Sequence, residues 1–224
     1  TDIDGMAADD QSGWSVSLNA NGNVLAIGVR RLTGSSTDAG YVRIFEWSGA
    51  AWIQKGTRID GENIGDDFGW SVSLSADGNT VAIGARLNGG TGPLAGHVRV
   101  YEWTGSSWFQ KGADLDGEAA EDQSGWGISL AADGQTLAIG AVFNDGSFQN
   151  AGQTRIYEWT GTAWNQKGGD IDGESIFDAS GESVSLTPDG STVAIGAVSN
   201  SGAFSESGHV RIYTWDGSVW VQKG

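Results

Sequence analysis

Residues 69–112 read "GWSVSLSADGNTVAIGARLNGGTGPLAGHVRVYEWTGSSWFQKG", and the alternation in this stretch decides the fold class. In "SVSLS", Val72 and Leu74 fall on one side and Ser71, Ser73 and Ser75 on the other. In "TVAIGA", Val81 and Ile83 oppose Ala82 and Gly84. "ADGN" lies between the two, and an Asp-Gly pair between alternating segments is a strong hairpin signal. "HVRVYEW" and "WFQKG" form a second hairpin around "TGSS". No part of the stretch keeps a helical period. It predicts four antiparallel strands.

The faces of those strands say what must surround them. One face is large and aliphatic; the other is Ser, Ala and Gly. A solvated face would carry Lys, Glu and Thr, whereas small residues let another sheet approach closely. Both faces are therefore expected to be covered. A four-stranded sheet sandwiched between copies of itself is a propeller blade; a linear stack of such sheets satisfies the same pattern.

The copies are present in the chain. It divides without a gap into four 56-residue units, 1–56, 57–112, 113–168 and 169–224, and 19 of the 56 columns carry one residue throughout. Eight of those columns are glycine, so 32 of the 37 glycines are placed by the repeat, as turn chemistry used four times over. The last residues, "SVWVQKG", also read straight into the first, "TDIDG": internally the two are spliced as "QKGTRIDGE", "QKGADLDGE" and "QKGGDIDGE". The run "WFQKGADLDG" reads as extended on both sides of the joint, which puts the joint within or beside a blade's outer strand.

The expectation is an all-β β-propeller and a single repeat array over residues 1–224, with four four-stranded blades. The blades form a closed ring of four, half of an eight-bladed ring, or a segment of a longer array. A chain that starts in repeat register without an initiator Met reads as processed or as a piece of something longer. Its ends are mutually complementary, so head-to-tail self-association into a ring or filament is expected, rather than an isolated monomer with free ends.

Composition narrows the function. At 224 residues the chain can bury a substantial core. Its apolar runs fall far short of the roughly 18 residues a membrane-spanning helix needs, so no membrane insertion is expected. A formal charge of −16 disfavours nucleic acid and anionic surfaces. Eight of the 12 basic residues occupy two columns, one Arg and one Lys per repeat, rather than forming a patch. The absence of cysteine excludes disulfides and thiolate metal sites.

"DDFGWSVSLSADGNTVAIGA" (66–85) resembles the FG-GAP repeat: an aromatic-Gly opening, a short strand, an acidic hairpin, then an apolar strand ending in Gly-Ala. The similarity covers about the first 30 residues of every unit. The Phe-Gly pair is literal only at Phe68-Gly69, and Arg86, Val142 and Val198 stand where the family's closing Pro would follow. The resemblance implies a propeller with a non-enzymatic role in adhesion or scaffolding, extracellular or at the cell surface, as in integrin alpha chains and bacterial and algal surface proteins. Family members often bind calcium in the first hairpin through D-x-D-x-D-G. Here the loops are "NANGN", "SADGN", "AADGQ" and "TPDGS", with one acid at most, whereas calcium takes 6–8 oxygens. Those loops are expected to be tight turns and no more.

The better metal candidate is "DLDGEAAED". Asp114, Asp116 and Glu118 alternate, which puts three carboxylates on one side of an extended backbone, with Asp122 nearby. The fourth unit repeats the pattern with Asp170, Asp172, Glu174 and Asp178. Calcium is the ion such a set would take; the alternative is that Asp116 and Asp122 bond backbone amides in the loop entering the blade. The pairs Trp47/Trp52, Trp103/Trp108, Trp159/Trp164 and Trp215/Trp220 flank a turn and are expected to form a structural aromatic clasp. Trp14, Trp70 and Trp126 open the first strand, and Glu182 takes that place in the fourth unit, so this column is the expected exposed aromatic. It is the candidate platform for sugar rings in a rival, lectin reading. In that reading the divergent segments "RRLTGSSTD", "RLNGGTGPL", "VFNDGSFQN" and "VSNSGAFSE" would help bind glycans or surface proteins. His97 and His209 share a column two repeats apart and read as strand-edge residues. There is no Ser-His hydrolase pattern, phosphate-binding glycine loop or Cys nucleophile, so no catalytic residues are expected.

Overall fold

The computed structural model describes residues 2–30 and 39–224. The link read as "RRLTGSSTD" lies outside the described residues except for Arg30. The first sheet contains β1 (Ser12–Leu18), β2 (Val24–Val29), β3 (Tyr41–Trp47), β4 (Trp52–Gln54) and β5 (Ile59–Asp60). The second contains β6 (Phe68–Leu74), β7 (Thr80–Ala85), β8 (His97–Trp103), β9 (Trp108–Gln110) and β10 (Leu115–Asp116). The third contains β11 (Ser124–Leu130), β12 (Thr136–Ala141), β13 (Gln153–Trp159), β14 (Trp164–Gln166) and β15 (Ile171–Asp172). The fourth contains β16 (Ser180–Leu186), β17 (Thr192–Ala197), β18 (His209–Trp215) and β19 (Trp220–Gln222). All strand pairs within the sheets are antiparallel, and each sheet is a propeller blade.

The outer strand of a blade comes in two pieces, and they belong to different repeats. β9 pairs with the far end of β8, Trp103 opposite Trp108, while β10 pairs with its near end, Val98 opposite Leu115 and His97 opposite Asp116. Residues 113–116 open the third repeat and complete the second blade. The repeat joint therefore falls between the two pieces of the outer strand, and the first three blades each receive a strand from the repeat that follows.

The core lies between blades rather than within one. Val81 and Ile83 of the second blade pack on Val24, Ala26, Val42 and Ile44 of the first, all of them buried. Leu137 and Ile139 meet Ala82, Val98 and Val100 in the same way. Each such aliphatic side chain contributes about 1.5–3 kcal/mol when fully buried. The small face allows this approach: a Cβ at Gly84 would land on the carbonyl oxygen of Gly125 in the next blade, and one at Gly140 on that of Gly181. Hydrogen bonds recur at each joint. Ser71 Oγ donates to Gly125 O (2.7 Å), the Leu130 amide donates to Ser73 Oγ (2.9 Å), and Trp164 Nε1 donates to Lys111 O (2.7 Å).

The two end faces differ from the joints. Leu74 and Leu130 are 7% exposed, but Leu18, in the same column of β1, is 58% exposed. Val98 is fully buried, but Val210, its counterpart in β18, is 66% exposed. Among the described residues, the four blades form an open arc.

The close approach at Gly84 yields a test. Gly84→Ala should lower unfolding free energy by about 1–3 kcal/mol, the usual cost of overpacking a tight interior. Chemical denaturation of the two proteins measures it; an unchanged midpoint would show that the joint is looser than described.

Candidate functional site

The hairpin turns that would hold the family's calcium do not fit it. The Asp77 carboxylate accepts from Ser75 Oγ (2.6 Å) and from the Asn79 amide (2.9 Å), so the acid of the loop is taken up by its own turn. Asp189 does the same with Thr187 and Ser191, and these bonds hold its carboxyl down at about 2.

The eight carboxylates of the second metal candidate are distributed over several partners. Asp122 accepts from the Ala119 amide (2.9 Å) and from Asn144 Nδ2 (3.1 Å). Asp178 accepts from the Glu174 and Ser175 amides and from Asn200 Nδ2 (2.9 Å). Asp66 repeats the arrangement with Asn63 and Asn88. In the first repeat Asp10 accepts from the Met6 and Ala7 amides and from Tyr41 Oη (2.7 Å). Burial and this bond push the Tyr41 hydroxyl up to about 12. Asp114 and Asp170 accept from Gln110 and Gln166, and Asp172 accepts from Gln153 Nε2 (3.3 Å). Glu118 lies 3.7 Å from Arg155, and Glu174 lies 3.8 Å from Arg211 and 3.7 Å from His209.

One tighter group lies between the first and second blades, at the mouth of a cavity of about 430 Å³ lined by Glu62, Asp66, Asn88, Asp114 and Asp116. Ligand atoms of Glu62, His97 and Asp114 all lie within 4.8 Å of one another. The Arg99 guanidinium bridges Glu62 and Asp114, donating to the latter through Nε and Nη2 at 3.0 Å each. Burial opposes ionisation of Asp114, but the bonds from Arg99 and Gln110 outweigh it and hold the carboxyl below the usual carboxylate range. His97, expected at a strand edge, is instead buried at the start of β8, its Nδ1 3.8 Å from Asp114 and 3.9 Å from Asp116. Desolvation, then the nearby Arg99 charge, lowers its pKa despite the two acids. Sequence spacing pointed to Asp114 and Asp116 but missed Glu62, Arg99 and His97, which come from another strand and the preceding turn.

The tryptophan columns form two constructions. Trp103 and Trp108 meet at 5.3 Å between ring centroids, and the other three pairs at 5.4–5.6 Å. The preceding repeat's lysine lies above each of the last three pairs: Lys55 Nζ is 5.5 Å from the Trp103 ring and donates to Gly78 O at 3.0 Å. The second construction is a ladder: Trp14, Arg30, Trp70, Arg86, Trp126. Arg30 lies 4.6 Å from the Trp14 ring and 5.0 Å from that of Trp70; Arg86 lies 3.7 Å from Trp70 and 4.7 Å from Trp126. Asp67 pairs with both arginines. Phe143 closes the ladder edge-on against Trp126. Trp14 is exposed and the other two rings are half-buried.

Residues 57–101 match the FG-GAP repeat, so the second repeat carries the family's pattern from its first residue into β8. One repeat thus matches the FG-GAP repeat, and the chain folds as an array of propeller blades. No curated protein matches its sequence. Similar solved structures include a protein from Bacteroides uniformis assigned as a 6-phosphogluconolactonase (TM-score 0.60, 12% identity, 93% of this chain and 52% of that one). The β-propeller domain of the Trilobed protease from Pyrococcus furiosus is also similar (TM-score 0.50, 12% identity, 94% of this chain and 56% of that one). So is an acylaminoacyl peptidase in complex with a chloromethyl ketone (TM-score 0.51, 11% identity, 93% of this chain and 32% of that one). At these identities the likeness is one of fold. The chain spans about half the length of the first two structures.

Two tests follow from the buried polar groups. Asp122→Ala leaves Asn144 and the Ala119 amide without their acceptor and should cost about 1–3 kcal/mol, read by denaturant unfolding. His97 has a folded pKa below its unfolded value of 6.5, so the unfolded chain takes up the proton first as pH falls, and stability drops below that value. His97→Gln, the residue the third repeat uses, should remove this part of the slope; melting temperatures from about pH 8 to about pH 5 test it. An identical slope in the variant would rule His97 out as its source.

Proposed function

We propose that the chain is a non-enzymatic repeat module, extracellular or at the cell surface, that serves adhesion or structural scaffolding. The observation that carries this reading is where the recurring polar side chains go. The Asp10, Asp66, Asp122 and Asp178 column secures the loop entering each blade, and the Lys55 and Lys111 pair ties one blade to the next. These two recurring columns are engaged within the repeat's own loops and joints. The FG-GAP match supports the same reading, and no helix among the described residues is long and apolar enough to cross a membrane. The enzymes among the similar structures share only a fold with it.

A calcium-dependent lectin is the second reading, favoured by the partly exposed Trp–Arg ladder and the acidic cavity beside Glu62 and Asp114. Two measurements separate the readings. The scaffold expects a silent glycan array and equal melting in calcium and magnesium at matched ionic strength, since a ligand of the folded state raises its melting temperature. Glycan binding lost in Trp70→Ala, or a calcium-specific rise lost in Glu62→Gln, would replace the scaffold with the lectin.

A further inference from the structure

At the joint between the first and second blades, the recurring lysine stands against a side-chain amide as well as the backbone. Lys55 follows β4, and its side chain crosses to the turn between β6 and β7. There Nζ donates to Gly78 O (3.0 Å) and to Asn79 Oδ1 (2.8 Å). Asn79 Nδ2 donates in turn to Asp77 Oδ2 (3.1 Å), and the backbone amide of Asn79 donates to Asp77 Oδ1 (2.9 Å). These bonds fix which way the carboxamide points: its oxygen faces the amine and its nitrogen faces the carboxylate. The amide carbon is one bond from an oxygen already in contact with Nζ, an orientation close to that of attack.

The surroundings favour a reaction between the two groups. Lys55 is buried, and the Trp103 and Trp108 rings lie 5.5 and 5.6 Å from Nζ. Desolvation lowers the pKa of the amine, although the Glu46 and Asp77 carboxylates oppose the shift. The neutral, nucleophilic amine is therefore more accessible than it is for a lysine in water. Burial opposes ionisation of Asp77, but the bonds from Ser75 and Asn79 outweigh it and keep the group a carboxylate, able to take up a proton. The other two joints lack this set. Lys111 Nζ donates to Gly134 O (3.1 Å), but Gln135, in the Asn79 column, turns its amide nitrogen to Asp133 O (3.3 Å). Lys167 bonds Glu158 (3.1 Å), and Ser191 brings no carboxamide to that column.

We propose that Lys55 and Asn79 join in an isopeptide bond, a self-formed covalent cross-link between the first and second blades. Lys55 Nζ, as the neutral amine, forms a bond to Asn79 Cγ. The tetrahedral adduct passes one Nζ proton through the Asp77 carboxylate to Nδ2. The Cγ–Nδ2 bond then breaks, and ammonia leaves with its electron pair. An amine and a primary amide become a secondary amide and ammonia, with no oxidant, reductant or further reactant. The bond joins residues 24 apart in sequence and constrains the unfolded chain as a disulfide would, in a protein without cysteine. It is independent of what the outer surface binds.

Intact-mass spectrometry of the folded 224-residue chain tests the proposal. The expected species is one ammonia lighter than the sequence mass. Trypsin should leave Lys55 uncut and release residues 44–58 joined to residues 59–86, while Lys111 and Lys167 are cut normally. Cyclisation at Asn21-Gly22 or Asn88-Gly89 also expels ammonia, but those pairs fall in other peptides, 1–30 and 87–99. Lys55→Arg and Asn79→Ala should each keep the full mass, with circular dichroism reporting intact strands. Asp77→Ala leaves both reacting groups in place and should form the bond more slowly by roughly a hundredfold or more. The unaltered chain held in denaturant from synthesis onward should not form it at all, because the fold supplies the geometry. A folded chain that keeps its full mass on long incubation, or an ammonia loss confined to the Asn-Gly peptides, overturns the cross-link. An undiminished rate in Asp77→Ala overturns the proton route through Asp77.

Discussion

Each blade of this protein has two faces that both need a neighbour, and the rest of the structure depends on that. The small face of Ala82 and Gly84 is too shallow to make a core, and the aliphatic face of Val81 and Ile83 is too apolar to stay in water. Stacked, they solve each other's problem, because glycine lets the next backbone come close enough for Leu137 and Ile139 to reach Ala82, Val98 and Val100. The hydrophobic gain sits at the joints, so stability is a property of neighbouring pairs rather than of single repeats.

The split outer strand follows from the same need. A blade whose strands all came from one repeat would meet its neighbour through side-chain packing and isolated backbone bonds such as that from the Ala76 amide to Ala132 O (2.8 Å). Because β10 comes from the repeat after β8, the backbone ladder itself crosses from unit to unit, and its antiparallel register fixes where the next blade begins. The lysine and tryptophan columns reinforce this crossing. Lys111 extends its ammonium over the Trp159 and Trp164 rings of the following blade, where burial lowers its pKa and nearby carboxylates partly offset the loss. With the charge placed over aromatic faces and a carbonyl, the cation serves cohesion, and little of it remains to recruit a ligand.

Such an arrangement leaves a surface free to vary. Loops between the second and third strands differ in every repeat, whereas the residues beneath them recur. A rigid frame with divergent loops is the usual basis for binding that changes without disturbing the fold. The Trp–Arg ladder is the exception: it joins three repeats and stops at Phe143, because Val142 and Val198 replace its arginine and Glu182 its tryptophan.

The sequence by itself determined what depends on near neighbours. Alternation in "SVSLS" and "TVAIGA" determines which side chains share a face, Asp-Gly turns determine the hairpins, and the 56-residue period determines how often both recur. That the joint lies within or beside the outer strand was also legible, because extension on both sides of "QKG" is a local property. Only the tertiary structure decided what happens across a joint. Ser71 and Leu130 find their partners in the neighbouring blade, 54 and 57 residues away, and even within one repeat Asn88 meets Asp66 from 22 residues away. Glu62, Arg99 and Asp114 converge from three segments, and the Asp114 carboxylate that alternation assigned to a shared acidic face is turned toward a guanidinium. The physical reason is that a two-residue period gives only the side of a sheet on which a group lies. Which group it meets there is set by the distance and angle at which the next blade stacks, and those depend on glycine and aliphatic packing summed over the whole joint.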